Sequence, residues 1–338
     1  MVATACSKFH KLPITILLFF VRGLTNSATR VCSPLFRTTP NRVNYAYFVR
    51  SGQASEEAFE AFGKEAATYE QNYSHDAGRY PDHVYRLRIF QDLLAALRPT
   101  TVLDAGCGSG VPLVTLLDSG YDAYGFDRSP DMVATTRQRL ASANHSPNRV
   151  FEGDLDKFTN PIGKPFDAIV GLGSVYYTPD TSTTLRVLTE QVRDDGAVIF
   201  SLRNQLFSLC SLNEYSADFL LKDIYPIQAT EGKVRNELIE FFAARFPKLD
   251  VNKLFDNVDE RNIRSKLHNP LTVEAELLIP NGLVLTGLYY YHFHALPPIF
   301  EHTHQQLFYE LSSEREIPTD WRGLVSASCF VVHATKRR

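Results

Sequence analysis

A glycine-rich stretch directly after a short apolar run limits this chain to few folds. Residues 102–110 read Val-Leu-Asp-Ala-Gly-Cys-Gly-Ser-Gly, so the apolar run ends at Asp104 and three glycines follow at alternate positions. Apolar residues then recur at helical spacing from Val111 to Leu117. This order predicts a buried strand, a tight turn and a helix, because glycine tolerates positive φ and lets the backbone approach a ligand closely.

The residues around this stretch alternate between strand-like and helix-like segments. Strands are predicted at 101–105, 121–127, 149–152, 166–172 and 196–202, and helices between them at 109–118, 130–142 and 181–193. This alternation is typical of an α/β protein with a parallel sheet and helices on both faces. Two further helices are predicted before the first strand, the first with apolar positions from Phe59 to Tyr73 and the second from Asp82 to Leu97.

The pattern changes after Leu202. Helical segments are predicted at 205–222 and 233–266, and strands at 272–279, 283–294 and 323–335. Insertions at the carboxyl edge of an open α/β sheet lie over its ligand crevice, so a helical lid is predicted at 203–280. The alternative for this insertion is a packing or dimerisation element, and a homodimer is compatible with it.

Two acidic residues indicate what the glycine turn binds. Asp127 closes the second strand-like run seventeen residues after Gly110, where an acid can accept hydrogen bonds from a ribose diol. Asp104 would repel a pyrophosphate at the start of the following helix, so a ligand with a cationic end is favoured. A nicotinamide site and a strand–helix turn without a ligand are the alternatives.

Residues 100–203 resemble the class I S-adenosylmethionine-dependent methyltransferases. The resemblance implies a Rossmann-like, doubly wound, mostly parallel seven-stranded sheet whose last strand is antiparallel, here in a hairpin of 283–294 with 323–335. S-adenosylmethionine is the cofactor that the resemblance implies.

The resemblance also implies which residues contact that cofactor. Asp104, Gly106, Gly108 and Gly110 match the first motif of the family, and Asp127 matches the acid that binds both ribose hydroxyls. The segment around Asp154 and Leu155 resembles the adenine-contact motif, and residues 171–177, including Leu172, follow the strand that leads to the sulfonium. Tyr69 and Tyr73 would cap the methionine end of the cofactor, where a cation favours an aromatic face, or else form the core face of their helix.

Two groups of residues could remove a proton from the methyl acceptor. Tyr177 follows the fourth strand, and His292 and His294 share one face of a predicted strand because side chains alternate there. Histidine titrates near neutrality and can act as a base without a large pKa shift. The alternatives for the histidines are core packing, or a metal site with His302 and His304; we predict no metal.

Composition limits which class of methyl acceptor is expected. The net charge is −3 and no basic stripe occurs, so a nucleic-acid partner is not expected. The aromatic C-terminal third favours an enclosed small-molecule pocket. The sequence thus predicts an enzyme that methylates an oxygen or nitrogen of a small molecule. An aminopropyl transferase of the spermidine-synthase type and a non-catalytic partner protein that binds S-adenosylmethionine are the alternatives.

The first 54 residues differ from the rest of the chain. They carry seven basic and no acidic residues, and their apolar run at 12–21 is too short to span a bilayer. An irregular leader or a targeting segment is predicted at 1–54, and a methyltransferase domain at 55–338. Scattered cysteines without a CxxC pair favour a reducing compartment, so a cytoplasmic protein without stable membrane insertion is expected. A secretory or organellar signal, or a start assigned too far upstream, is the alternative for residues 1–45.

Overall fold

An eight-stranded, mostly parallel sheet forms the centre of the computed structural model, which describes residues 73, 80–225, 232–246 and 265–338. The strands are β1 Thr101–Ala105, β2 Asp122–Asp127, β3 Val150–Glu152, β4 Phe166–Gly171, β5 Val192–Asn204, β6 Leu267–His268, β7 Leu283–Phe293 and β8 Ala327–Lys336. The leader at 1–54 and the predicted helix that contains Tyr69 lie outside the described residues.

The strand order confirms the predicted fold class. Along the sheet the strands follow the order β3-β2-β1-β4-β5-β8-β7, and the short β6 pairs with the end of β5. Only β8 runs antiparallel to its neighbours, β5 and β7, in the sheet of the described chain. The two-residue strand β6 was not predicted.

Helices cover the sheet and connect its strands. They are α1 Asp82–Leu97, α2 Val111–Asp118, α3 Pro130–Ser142, α4 Thr181–Gln191, α5 Ser208–Ser211, α6 Glu214–Phe219, α7 Gly232–Arg245, α8 Ile299–Thr303, α9 Gln305–Ser313 and α10 Gly323–Ser326. The start of α3 follows from local sequence: the Ser129 hydroxyl accepts the N–H of Met132, and Pro130 occupies the first turn. None of the helices described here has the length and apolar character needed to cross a bilayer.

The sheet is buried on both faces. Neighbouring residues of one strand, such as Val102 and Leu103 or Val198 and Ile199, belong to two different apolar clusters. Because side chains alternate along a strand, each cluster lies on one face, packed against its own layer of helices. This burial explains why the central strands read as nearly continuous apolar runs.

The segment after β5 is only partly as predicted. The predicted helix at 205–222 is broken into a 3₁₀ turn, α5, α6 and a π-helical turn at Leu220–Ile224. The strand predicted at 272–279 is wrong, since Glu274–Leu278 forms a π-helical turn. Val273 and Leu277 are both buried four residues apart, so this apolar run presents a helical face. The closing strand starts at Ala327 rather than 323, because α10 precedes it.

Candidate functional site

A cleft opens at the carboxyl ends of β1, β2 and β4. It encloses about 930 Å³ of space, part of which is open solvent. Ligands of open α/β sheets bind at this edge. Most of the predicted site residues line it: Asp104, Gly106, Gly108, Asp127, Asp154, Leu155, Leu172 and Tyr177.

The glycine turn forms the floor of the cleft. The N–H groups of Gly106 and Cys107 both donate to the carbonyl of Phe126 at 2.9 Å, which ties the turn to the end of β2. Gly106 has φ +76°, and a Cβ there would lie 2.5 Å from the Cβ of Ser174. The turn is therefore pressed against the loop after β4, and only glycine fits between them.

Gly110 does not line the cleft, in contrast to the other two glycines of the motif. It precedes α2 with φ +80°, and a Cβ there would lie 2.6 Å from Cγ2 of Thr136 on α3. The Thr136 hydroxyl donates to the carbonyl of Gly108 at 2.7 Å. The third glycine is thus required for packing of α3 on the turn.

This packing gives a testable difference between two glycines with similar backbone angles. Gly163 has φ +73° and nothing within 4 Å of a built Cβ, so Gly163→Ala should cost about 1 kcal/mol from conformation alone. Gly110→Ala also displaces Thr136 and should cost about 2–5 kcal/mol. Urea unfolding of both variants measures the difference. Equal losses would contradict the close packing at Gly110.

Asp127 is held at the end of β2 by backbone N–H groups. Its Oδ2 accepts the N–H of Gly108 and its Oδ1 accepts the N–H of Ser129, both at 2.9 Å. Burial raises the pKa of this carboxyl, while the bonds from Ser129 and Gly108 act to lower it. A carboxylate oxygen has two lone pairs, so both oxygens retain capacity for a hydroxyl donor from the cleft.

Asp104 is a fully buried acid at the end of β1. Among the described residues neither of its carboxylate oxygens has a hydrogen-bond partner. Burial, together with the nearby charge of Asp127, raises its pKa to about 7, although Arg86 acts to lower it. Buried polar groups are normally paired, so an unpaired carboxylate in a cleft indicates that a ligand supplies its donor.

The segment after β3 adds a third acid to the cleft. The N–H of Gly153 donates to the carbonyl of Asp127 at 3.0 Å, and a Cβ at Gly153 would lie 2.9 Å from the Phe158 ring. Asp154 follows, with its Oδ1 accepting the N–H of Asp156 at 3.1 Å and its Oδ2 3.8 Å from Nε of Arg128. Asp154 and Leu155 thus line the same cleft as Asp127.

Arg86 is a site residue that the sequence analysis missed. It lies on α1, is only 2% exposed, and its Nη1 would be 2.4 Å from a Cβ at Gly173, a cleft-lining residue with φ +81°. It also hydrogen-bonds Tyr73, which lines the cleft. Arg86 shares a helix face with the buried Ile89, Phe90 and Leu93. In the sequence, the signal that could have identified Arg86 is a charged residue on the apolar face of a predicted helix.

His292 and His294 lie outside the cleft, in the part of the chain that the structure describes. The His292 ring stacks on Tyr80 with centroids 5.0 Å apart and on His294 at 4.7 Å. The His294 ring also contacts Phe207 at 4.5 Å, and burial lowers its pKa well below the ordinary value. The two imidazoles are thus adjacent, although His292 has φ +58° and His294 lies after the end of β7, so the strand alternation on which the prediction rested does not continue to His294. His294 is neutral at physiological pH.

The described residues include no group of three or more His, Cys, Asp or Glu side chains arranged to hold a metal ion. The alternative metal site considered in the sequence analysis included His302 and His304. Both are exposed; His302 lies on α8 and His304 directly follows it.

Residues 103–198, which run from β1 into β5, match the family model described as a methyltransferase domain. Over these residues the chain is similar to the class I S-adenosylmethionine-dependent methyltransferases. The matched residues include the glycine turn, Asp127, Asp154 and the loop after β4, which together line most of the cleft.

Two curated relatives and one solved structure illustrate the similarity. The glycine/sarcosine/dimethylglycine N-methyltransferase of Actinopolyspora halophila is 31% identical over 119 residues, 34% of this chain and 21% of that protein. The ubiquinone biosynthesis O-methyltransferase of Aromatoleum aromaticum is 25% identical over 131 residues, 39% of this chain and 56% of that protein. The magnesium protoporphyrin IX methyltransferase of Synechocystis PCC 6803, solved with bound SAH, shares 14% identity at a TM-score of 0.48, covering 84% of this chain and 99% of that one.

The matches cover only part of the length of each curated relative. The chain spans between 21% and 56% of the length of these two curated relatives. The similarity therefore concerns the methyltransferase domain.

Proposed function

We propose that this protein transfers the methyl group of S-adenosylmethionine to an oxygen or nitrogen of a small-molecule acceptor. The observation that carries the proposal is Asp104, a buried carboxylate without a hydrogen-bond partner in the described residues, next to a second acid in one cleft. Such a pair suits a ligand that has a positive charge at one end and a ribose near it. The curated relatives include both O- and N-methyltransferases, which supports a proposal that leaves the acceptor atom as either oxygen or nitrogen.

Each part of the cofactor has a candidate partner in the cleft. Asp127 would accept from the ribose hydroxyls, and Asp154 with Leu155 would contact adenine. Asp104 would face the cationic amino-acid end. Gly106 and Gly108 present bare backbone to the ligand, and Leu172 follows β4. The assignment of Tyr69 stays a prediction, as do these roles, and Gly110 supports the turn from behind.

The protein's own contribution to catalysis is alignment and proton removal. When bound, S-adenosylmethionine supplies a methyl group on a positively charged sulfur. The chain must hold the acceptor atom in line with that methyl group and exclude water. An acceptor hydroxyl or ammonium also has to lose a proton, which requires a base within hydrogen-bond reach.

Three residues remain candidates for that base. Tyr177 lines the cleft and has the most direct access to it. His292 and His294 lie outside the cleft, and Asp82 on α1 interacts electrostatically with both His292 and Arg86. Arg86 in turn packs against Gly173, which lines the cleft. A neutral imidazole such as His294 can accept a proton from an acceptor that enters on that side.

Replacing His294 with alanine should lower turnover far more than it lowers cofactor affinity. Loss of a general base typically reduces the rate by about 10²–10⁴-fold. Turnover is measured by methyl transfer to an acceptor and affinity by calorimetry with S-adenosylhomocysteine. His302→Ala, an exposed histidine on α8, is the matched control. Full activity of the His294 variant would remove it from the candidates.

The segment 203–280 is proposed to act as the lid over the acceptor. Its strand β6 pairs with Arg203 and Asn204 at the end of β5. Lys266 donates its N–H to the carbonyl of Tyr176 at 3.0 Å, and its ammonium donates to the carbonyl of Pro179. Since Pro179 lines the cleft, these bonds attach the segment to the cleft rim and support a role in closing it.

Binding measurements test the proposal and separate its alternatives. Calorimetry should show binding of S-adenosylmethionine and S-adenosylhomocysteine, with no binding of a nicotinamide dinucleotide. Tighter binding of 5′-methylthioadenosine than of S-adenosylhomocysteine would instead favour aminopropyl transfer. A screen of small-molecule acceptors should then give methyl transfer. Binding without transfer to any acceptor class would favour the non-catalytic partner protein.

A further inference from the structure

We propose that Glu316 is a positioning residue that fixes His292 and His294 by binding the backbone at the end of β7. Glu316 follows α9 in the sequence and lies beside β7 in space. The inference rests on the proposed function, in which these histidines are candidates to remove the acceptor's proton.

The carboxylate of Glu316 binds two donors from two distant segments. Its Oε1 accepts the N–H of Phe293 at 2.8 Å and the hydroxyl of Tyr80 at 2.6 Å. The backbone N–H of His292 also stabilises the charged form of this carboxylate. One side chain thus interacts with two successive backbone N–H groups at the point where β7 ends.

Two successive N–H groups reach one carboxylate only because the strand is distorted there. In a regular strand, neighbouring N–H groups point to opposite sides. His292 has φ +58°, a left-handed conformation that residues with a Cβ rarely adopt. Left-handed residues turn adjacent N–H groups into a concave anion-binding surface. Glu316 supplies the anion for this surface and so holds His292 in its unusual conformation.

The same contacts orient the imidazole rings. Tyr80 donates its hydroxyl to Glu316, and its ring stacks on the His292 ring at 5.0 Å and 11°. The His292 ring in turn stacks on the His294 ring at 4.7 Å. Glu316, Tyr80, His292 and His294 therefore form one continuous contact series, and a change at Glu316 should move both imidazoles.

The contact series leaves buried polar atoms without partners, so a contribution to stability alone does not explain it. Among the described residues neither ring nitrogen of His294 has a hydrogen-bond partner, and Oε2 of Glu316 has none either. Buried polar atoms without partners cost stability. An arrangement that keeps a neutral imidazole buried, unpaired and oriented suits a group reserved for a substrate atom.

Ring-labelled histidine NMR tests the inference without knowledge of the acceptor. Nitrogen-15 ring spectra of full-length Glu316→Ala, Glu316→Gln and wild-type protein are compared, with Glu314→Ala as the exposed control two residues away. Glutamine keeps the Oε1 acceptor, so its spectrum should stay close to wild type. In Glu316→Ala the ring signals of His292 and His294 should shift, while the other histidines and the Glu314→Ala spectrum stay unchanged. Unmoved signals of both imidazoles in Glu316→Ala would overturn the inference.

A second variant covers a failure of Glu316→Ala to fold. Tyr80→Phe removes only the hydroxyl that donates to Glu316 and should shift the His292 ring signals. If those signals do not move, the contact series does not position the rings and the inference is wrong.

Two further readouts separate this inference from the proposed function. Affinity for S-adenosylhomocysteine should be the same in wild type, Glu316→Ala and Glu316→Gln, since Glu316 lies outside the cleft in the described structure. With an acceptor found by screening, kcat of Glu316→Ala should fall about a hundredfold, as expected for a small misplacement of a catalytic group, and glutamine should restore most of it. A wild-type protein that binds no S-adenosylhomocysteine would refute the proposed function, whatever the ring spectra show. Normal binding with an unchanged kcat in Glu316→Ala would refute only the role of Glu316.

Discussion

Replacing Asp127 with alanine should weaken the binding of S-adenosylhomocysteine by about 1.5–3 kcal/mol, or roughly 10- to 150-fold. Hydrogen bonds from ribose hydroxyls to a carboxylate are charge-assisted and therefore strong. The loss has a second source in this protein, because the same carboxylate anchors the N–H groups of Gly108 and Ser129. Without it the glycine turn loses its tie to the start of α3.

Calorimetry on the purified variant measures this effect. Asp131→Ala is the matched control, since Asp131 is an exposed acid in the first turn of α3, four residues away. The control should bind like wild type. An Asp127→Ala variant with unchanged affinity would contradict our placement of the ribose.

Cofactor affinity should depend on pH through Asp104. Its pKa is about 7 in the empty protein, so most of the carboxyl is protonated at pH 6. A ligand with a cationic end prefers the charged carboxylate, and affinity should fall about tenfold for each pH unit below 7. Asp104→Asn should bind weakly and with little dependence on pH. Calorimetry of wild type and Asp104→Asn between pH 5.5 and 7.5 measures cofactor affinity as a function of pH. If affinity changes equally with pH in the two proteins, Asp104 is not the titrating group.

The same raised pKa affects stability with a defined sign. The folded protein keeps the proton of Asp104 up to about pH 7, whereas the unfolded chain loses it near the ordinary aspartate pKa of 3.8. The free energy of unfolding should therefore fall by about 4 kcal/mol from this group as the pH rises from about 4 to 7, and level off above 7. Asp104→Asn should remove this part of the decline and be more stable than wild type at pH 8. Urea unfolding across this range measures it, and a variant no more stable at pH 8 would contradict the burial of an unpaired charge.

Much of the cofactor cleft could be predicted because its signals are local. A short apolar run, three glycines at alternate positions and an acid seventeen residues later are contiguous in sequence. Positive φ at Gly106 and the periodicity of the flanking strand and helix depend mainly on nearby residues. The alternation of β1 to β5 with helices was predicted from local patterns of the same kind, whereas the antiparallel last strand was implied by the resemblance to the methyltransferase family.

The failures arose where local patterns are ambiguous. The apolar run at 272–279 is compatible with a strand and with a helical turn. In the structure it forms a helical turn, with Val273 and Leu277 buried on the same side. The third glycine of the motif shows a similar limit. The family resemblance implied a cofactor contact for Gly110, whereas the structure packs Gly110 against Thr136 and leaves it out of the cleft lining.

By itself, the sequence determined the fold class, the glycine turn and the acids at the ends of β1, β2 and β3, since each depends on residues close together in the chain. Only the tertiary structure decided that Arg86 packs against Gly173, that His292 and His294 stack on each other outside the cleft, and that Glu316 binds the end of β7. The partners in these contacts come from segments far apart in sequence. Their position depends on how helices and strands pack, and no local pattern specifies that packing.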